Sequence, residues 1–170
     1  MSRVLLLAVL LLAAACNSTD DPTPTDPSPG STIPTIGGTY SSPAMWQFEL
    51  TGTGGQEAFT CAGSVTIGTQ VADSFSGTFQ IRDDACGGLF PGTIVNGVFR
   101  SNNTVAFEPL FADGTLNLLA SAVGCTYVSG DRIMNGTLIG TRLEAQARTE
   151  LDCPAPLGRT IQFVRIDGNR

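Results

Sequence analysis

Hydrophobic residues recur at every second position in four segments of the chain, and no other property limits its fold so strongly. Trp46, Phe48 and Leu50 alternate with Gln47, Glu49 and Thr51. Phe59, Cys61, Gly63, Val65 and Ile67 alternate with Thr60, Ala62, Ser64 and Thr66, and Phe75, Gly77, Phe79 and Ile81 with Ser74, Ser76, Thr78, Gln80 and Arg82. Leu143, Ala145, Ala147 and Leu151 oppose Arg142, Glu144, Gln146, Arg148 and Glu150. Side chains in a strand point to opposite faces in turn, so each segment predicts a strand with one apolar and one solvated face. Less regular strands are expected over 92–100, 103–110, 115–128, 131–139 and 159–167, with Pro109 marking a bulge or a strand end.

The links between these segments are short and rich in turn residues, as at 52–56, 101–103, 112–114 and 129–131. Short links join antiparallel neighbours, because parallel pairs need long crossovers. A meander apolar on one face can bury that face by curling closed, which also removes exposed edges. The expected fold is therefore all-β, a small antiparallel up-and-down barrel of about eight strands formed by residues 37–170. An immunoglobulin-type sandwich would place a tryptophan between two bridged cysteines, whereas Trp46 precedes Cys61, Cys86, Cys125 and Cys153. No segment after the signal has a convincing 3.6-residue period, so helix is expected to be scarce.

The first sixteen residues, MSRVLLLAVLLLAAAC, carry one cation (Arg3) and a twelve-residue apolar run from Val4 to Ala15, then a cysteine. Twelve apolar residues fall short of the roughly 20 that span a bilayer. The segment resembles a bacterial lipoprotein signal peptide, residues 1–15 being removed and Cys16 becoming the lipidated first residue. Ala13 and Ala15 also fit ordinary signal cleavage, which would release a soluble protein. Cysteine parity favours lipidation: five cysteines leave one unpaired, and removing Cys16 leaves Cys61, Cys86, Cys125 and Cys153 for two disulfides. Two or more acyl chains, palmitate among them, anchor a protein stably where one does not.

Residues 16–36 then read as the lipidated cysteine and a tether. The stretch NSTDDPTPTDPSPGSTIPTI holds five prolines and few apolar side chains, so it is expected to stay extended with a reach on the order of 60 Å. Asn17 after the cysteine favours the outer membrane over the inner one in some sorting systems. The expected location is the cell envelope, lipid-anchored to a bacterial membrane, with the domain in the periplasm or at the cell surface.

The domain resembles the β-domains of bacterial lipoproteins that begin with a glycine–threonine–aromatic strand, here Gly38-Thr39-Tyr40, and end in a strand carrying arginine, here Arg165. Lipocalins share that scheme, and the resemblance implies an arginine of the last strand packed over the aromatic ring of the first. A weaker internal echo, DSFSGTF (73–79) against DRIMNGTL (131–138), favours Cys61–Cys86 and Cys125–Cys153 among three possible connectivities. The alternative is that the echo reflects only hairpin composition.

All nine basic residues are arginine, histidine is absent and the net charge is −6. Without a basic patch, nucleic acid is not an expected partner. Without histidine or lysine, the chain lacks the commonest general base, the commonest metal ligand, Schiff-base chemistry and the P-loop. The gaps between the last four cysteines, 24, 38 and 27 residues, are not those of metal knuckles. Asp20-Asp21 and Asp83-Asp84 read as solvated turns, since strand neighbours face opposite ways. No catalytic residue, metal or cofactor is expected, and the chain reads as a monomer and not as an enzyme.

The expected role is non-catalytic binding or structure, with an envelope protein or a small apolar ligand as possible partner. One alternative is a lipocalin-like carrier of a small apolar ligand, if the large rings and small residues of the interior leave it hollow rather than filled. Another is an inhibitor of a secreted hydrolase, presenting Leu89 and Phe90 on a loop, DDACGGLFP (83–91).

Overall fold

The structure is a computed structural model that describes residues 34–83, 88–115 and 117–170. Nine strands and one short helix follow in the order β1 (Gly38–Gly52), β2 (Gly55–Val71), β3 (Ser74–Asp83), β4 (Gly88–Phe99), β5 (Thr104–Phe111), α1 (Leu118–Val123), β6 (Thr126–Gly130), β7 (Met134–Ile139), β8 (Arg142–Asp152) and β9 (Arg159–Asn169). All pairings are antiparallel, and eight strands close into a ring because β9 pairs with both β1 and β8. The expected barrel is thus the observed one, with β6 as an extra strand hydrogen-bonded to β8.

The even-numbered residues of β1 and the odd-numbered residues of β2, β3 and β8 fill the lumen, as the alternation predicts. Tyr40, Trp46, Phe48, Phe79, Phe99 and Phe107 are almost completely buried there. Each such ring removed from water contributes roughly 1.5–3 kcal/mol. The rings meet in ordinary aromatic geometries: Trp46 and Phe79 tilted at 5.2 Å, Phe48 and Phe59 stacked at 5.0 Å, Phe79 and Phe111 edge-on at 5.0 Å.

Glycines make the fit possible. A Cβ on Gly63 would lie 2.8 Å from the Trp46 indole, and one on Gly97 would lie 2.6 Å from the Phe75 ring. A Cβ on Gly92 would overlap Phe79 outright. Each ring therefore packs where a neighbouring strand lacks a side chain, and the interior is filled by interdigitation. A bulge in β1 between Ser42 and Trp46 adds Met45 to the core, where its sulfur occupies the space a side chain on Gly168 would need.

One rim of the barrel is closed by the residues that lead into β1. Ile36, expected in the tether, is only 1% exposed. Its carbonyl accepts from the Tyr40 hydroxyl at 2.7 Å, and its N–H donates to Gln70 Oε1 at 2.9 Å. At the same rim the closing arginine is Arg170. Its guanidinium lies 5.8 Å from the Tyr40 ring, whereas Arg165, expected in that role, is exposed on the outer face of β9.

Two expectations about the order of the strands also need correction. Residues 115–128 do not form one strand, since the stretch contains α1 and the start of β6. The strands are also not a simple consecutive meander, because β5 pairs with β7 and skips β6. Pro109 lies within β5, opposite Ile94, in the half of the strand that has no partner towards β7. A residue without an N–H suits such an edge.

Candidate functional site

Among the described residues, one seam of the barrel wall lacks a ladder over half its length. The β5–β7 ladder runs only from Thr104–Thr137 to Phe107–Met134. Beyond Phe107, β5 continues through Glu108–Phe111 bonded to β4 alone, while the second half of β8 is bonded to β6. No ladder joins these two edges, and α1 together with the β6–β7 turn covers the gap. A cleft of about 30 Å³ opens there into the lumen. Its apolar lining is Trp46, Phe48, Pro109, Phe111, Leu118, Met134, Ala147 and Val164; its polar lining is Asn117, Asp131, Arg132 and Thr149.

Asn117 is placed by the helix it starts. Its backbone is extended (φ −158°, ψ 163°), and its Oδ1 accepts from the Ala120 N–H at 2.8 Å, the usual arrangement of an asparagine N-cap. That bond fixes the orientation of the amide, so Nδ2 is left buried with no hydrogen-bond partner. Gly124 ends the helix in the left-handed region (φ 76°), where its N–H donates to the Ala120 carbonyl at 3.1 Å. The next residue, Cys125, is disulfide-bonded to Cys153 with Cα atoms 4.1 Å apart, which ties the exit of α1 to the β8–β9 connection.

Arg132 lies on the β6–β7 turn and is held by Tyr127 of β6. Its guanidinium lies 4.9 Å from the Tyr127 ring, and Tyr127 donates its hydroxyl to the Gly130 carbonyl at 2.7 Å. Asp131 exchanges hydrogen bonds with the Arg148 backbone, its N–H donating at 2.8 Å and its Oδ2 accepting at 3.2 Å. Among the described residues no carboxylate comes within ion-pair distance of Arg132. The surface pairs are elsewhere: Arg142 with Glu144 and Asp167, and Arg159 with Glu150. Those arginines hold the Asp167 and Glu150 carboxyls below the usual carboxylate range by hydrogen bonding.

A second uncompensated amide lies in the same wall. Gln162 on β9 is fully buried, opposite Thr149 on β8 and Leu50 on β1, and neither of its side-chain polar atoms has a partner. Neither Asn117 nor Gln162 stands out in the sequence as a site residue. For Asn117 a signal existed, an asparagine and a glycine bracketing six helix-compatible residues. For Gln162 there was only a polar residue at an inward position of a strand.

Of the expected site residues, Cys125 and Cys153 form the predicted disulfide. Cys61 is also disulfide-bonded. Cys16, Cys86 and the Asp20-Asp21 pair lie outside the described residues, as does Asp84. Leu89, Phe90 and Pro91, expected in a loop, belong to β4, with Leu89 opposite Arg82 and Phe90 opposite Ile81. Leu89 is 55% exposed, while Phe90 packs against the core. Among the described residues no group of three or more acidic or cysteine side chains is placed to hold a metal, and no helix is long and apolar enough to cross a membrane. Compared with protein-family models, with curated proteins and with solved structures, the chain matches none.

Proposed function

We propose that the chain is a lipid-anchored cell-envelope protein whose barrel serves a binding or structural role without catalysis. The observation that carries this reading is the oxidised state of its cysteines. Cys125 and Cys153 are bridged and Cys61 is disulfide-bonded, a pattern that belongs to an oxidising, exported compartment. The segment Leu12-Ala13-Ala14-Ala15-Cys16 supplies the export and lipidation signal. Metabolic labelling with palmitate, followed by the mass of the mature N-terminus, tests the anchor. Acylated Cys16 and release of a Cys16→Ser variant from the membrane are expected; an unmodified mature N-terminus would refute it.

A second reading, a carrier of a small ligand, is favoured by the cleft at the β5–β6 seam and its unpartnered Asn117 amide. The filled interior limits any such ligand to a few heavy atoms unless side chains move. Native mass spectrometry of the full chain should show the ligand-bound mass, and repeatedly empty spectra would remove this reading. The hydrolase-inhibitor alternative retains Leu89 as its exposed apolar anchor, and binding to envelope or host hydrolases would be the test.

A further inference from the structure

We infer that the cleft at the β5–β6 seam is a binding site for short aliphatic monocarboxylates. This rests on the second reading above, that the barrel takes a small ligand, and adds to it a charge and a size. Two of the four polar groups there, Asn117 and Arg132, have an unmet demand for an acceptor. Asn117 Nδ2 is a buried donor with no partner, and the amide cannot turn over to relieve it because Oδ1 caps Ala120. Arg132 brings a cation to the same opening, steadied over Tyr127 and free of any ion pair among the described residues. Asp131, also at the opening, has its carboxylate engaged by the Arg148 N–H. An unused amide N–H and a guanidinium at one mouth suit a group that only accepts and carries one negative charge, which is a carboxylate.

Apart from Thr149, the rest of the cleft is apolar and small. Trp46, Phe48 and Met134 offer a tail no hydrogen bond. A volume of about 30 Å³ holds two or three water-sized groups at roughly 10–15 Å³ each, so the tail is about two or three carbons long. The wall at this point is side chains rather than a ladder, so an occupant breaks no strand pairing. Seating the carboxylate would satisfy Nδ2, which otherwise remains a buried donor at a cost.

Trp46 is the only tryptophan of the chain and lines the cleft, so its emission reports occupancy. The full-length chain is titrated with sodium acetate, propionate, butyrate and hexanoate at constant ionic strength made up with chloride, and with butanol as the uncharged match. A saturable change in emission is expected, tightest for butyrate, weaker for hexanoate and at least tenfold weaker for butanol. Asn117→Asp keeps the capping oxygen but replaces the donor with a negative charge, and should weaken butyrate binding at least tenfold. Arg132→Gln, at an exposed position, should weaken it severalfold. No saturable response to any carboxylate, or an Asn117→Asp chain that binds butyrate as tightly as the wild type, overturns the inference. Equal binding of butanol and butyrate also overturns it, while leaving the small-ligand reading in place.

Discussion

The guanidinium of Arg170 lies 5.8 Å from the Tyr40 ring and donates through Nη1 to the Gly37 carbonyl at 2.6 Å, so the last residue of the chain clasps the start of β1. The clasp needs Gly38. A Cβ there would lie 2.6 Å from Arg170 Cδ, and its φ of +136° is one that L side chains rarely adopt. Gly38→Ala should therefore destabilise the barrel by about 1–3 kcal/mol. Arg170→Ala, which removes an exposed cation–π contact and one hydrogen bond, should cost only about 0.5–1.5 kcal/mol. Urea unfolding of the two variants gives the comparison, and Gly38→Ala is expected to lose more.

Tyr40 is buried beneath that clasp, and burial pushes its phenol above the ordinary tyrosine value although Arg170 pulls the other way. A phenol that binds its proton more tightly in the folded state contributes stability that is complete below the unfolded value, about 10, and lost as pH rises through the folded one. Near-ultraviolet absorbance of a Tyr127→Phe chain isolates Tyr40, because the sequence has only two tyrosines. Ionisation is expected above pH 10 and together with loss of structure. A freely titrating phenol at pH 10 in the folded barrel would contradict the burial.

Gly92 faces Phe79 so closely that a methyl group there would overlap the ring. Gly92→Ala should cost about 1–3 kcal/mol by overpacking. Ala72 provides the opposite case in the turn before β3, an alanine at φ 53° where glycine is preferred. Ala72→Gly should stabilise by a few tenths to about 1 kcal/mol. Thermal unfolding of the two single variants should thus move in opposite directions.

Gln162 buries a carboxamide whose two polar atoms lack partners. Replacing it with an unbranched apolar side chain of similar volume, Gln162→Met, removes the desolvation cost. The expected gain is about 1–3 kcal/mol in chemical denaturation. A loss of stability instead would mean that the amide is satisfied by a buried water, which high-resolution crystallography of the wild type would locate.

Alternation alone determined which residues of β1, β2, β3 and β8 face inward, because a strand has only two faces and water rejects one kind of side chain. With short links it also determined the closed antiparallel barrel, and cysteine spacing and echo pointed to Cys125–Cys153. The α1 helix escaped that reading because six residues make fewer than two turns and display no period, and only its capping residues Asn117 and Gly124 betray it. Tertiary structure alone decided that Arg170, and not Arg165, covers Tyr40. Arg165 pairs with Gln47 and faces outward with it, while Arg170 follows the end of β9 and can fold back over the rim. The same holds for the cleft. It exists because β7 pairs with only half of β5, leaving a seam for α1 to cover, and the length of a pairing is set by competition among strands that no local segment records.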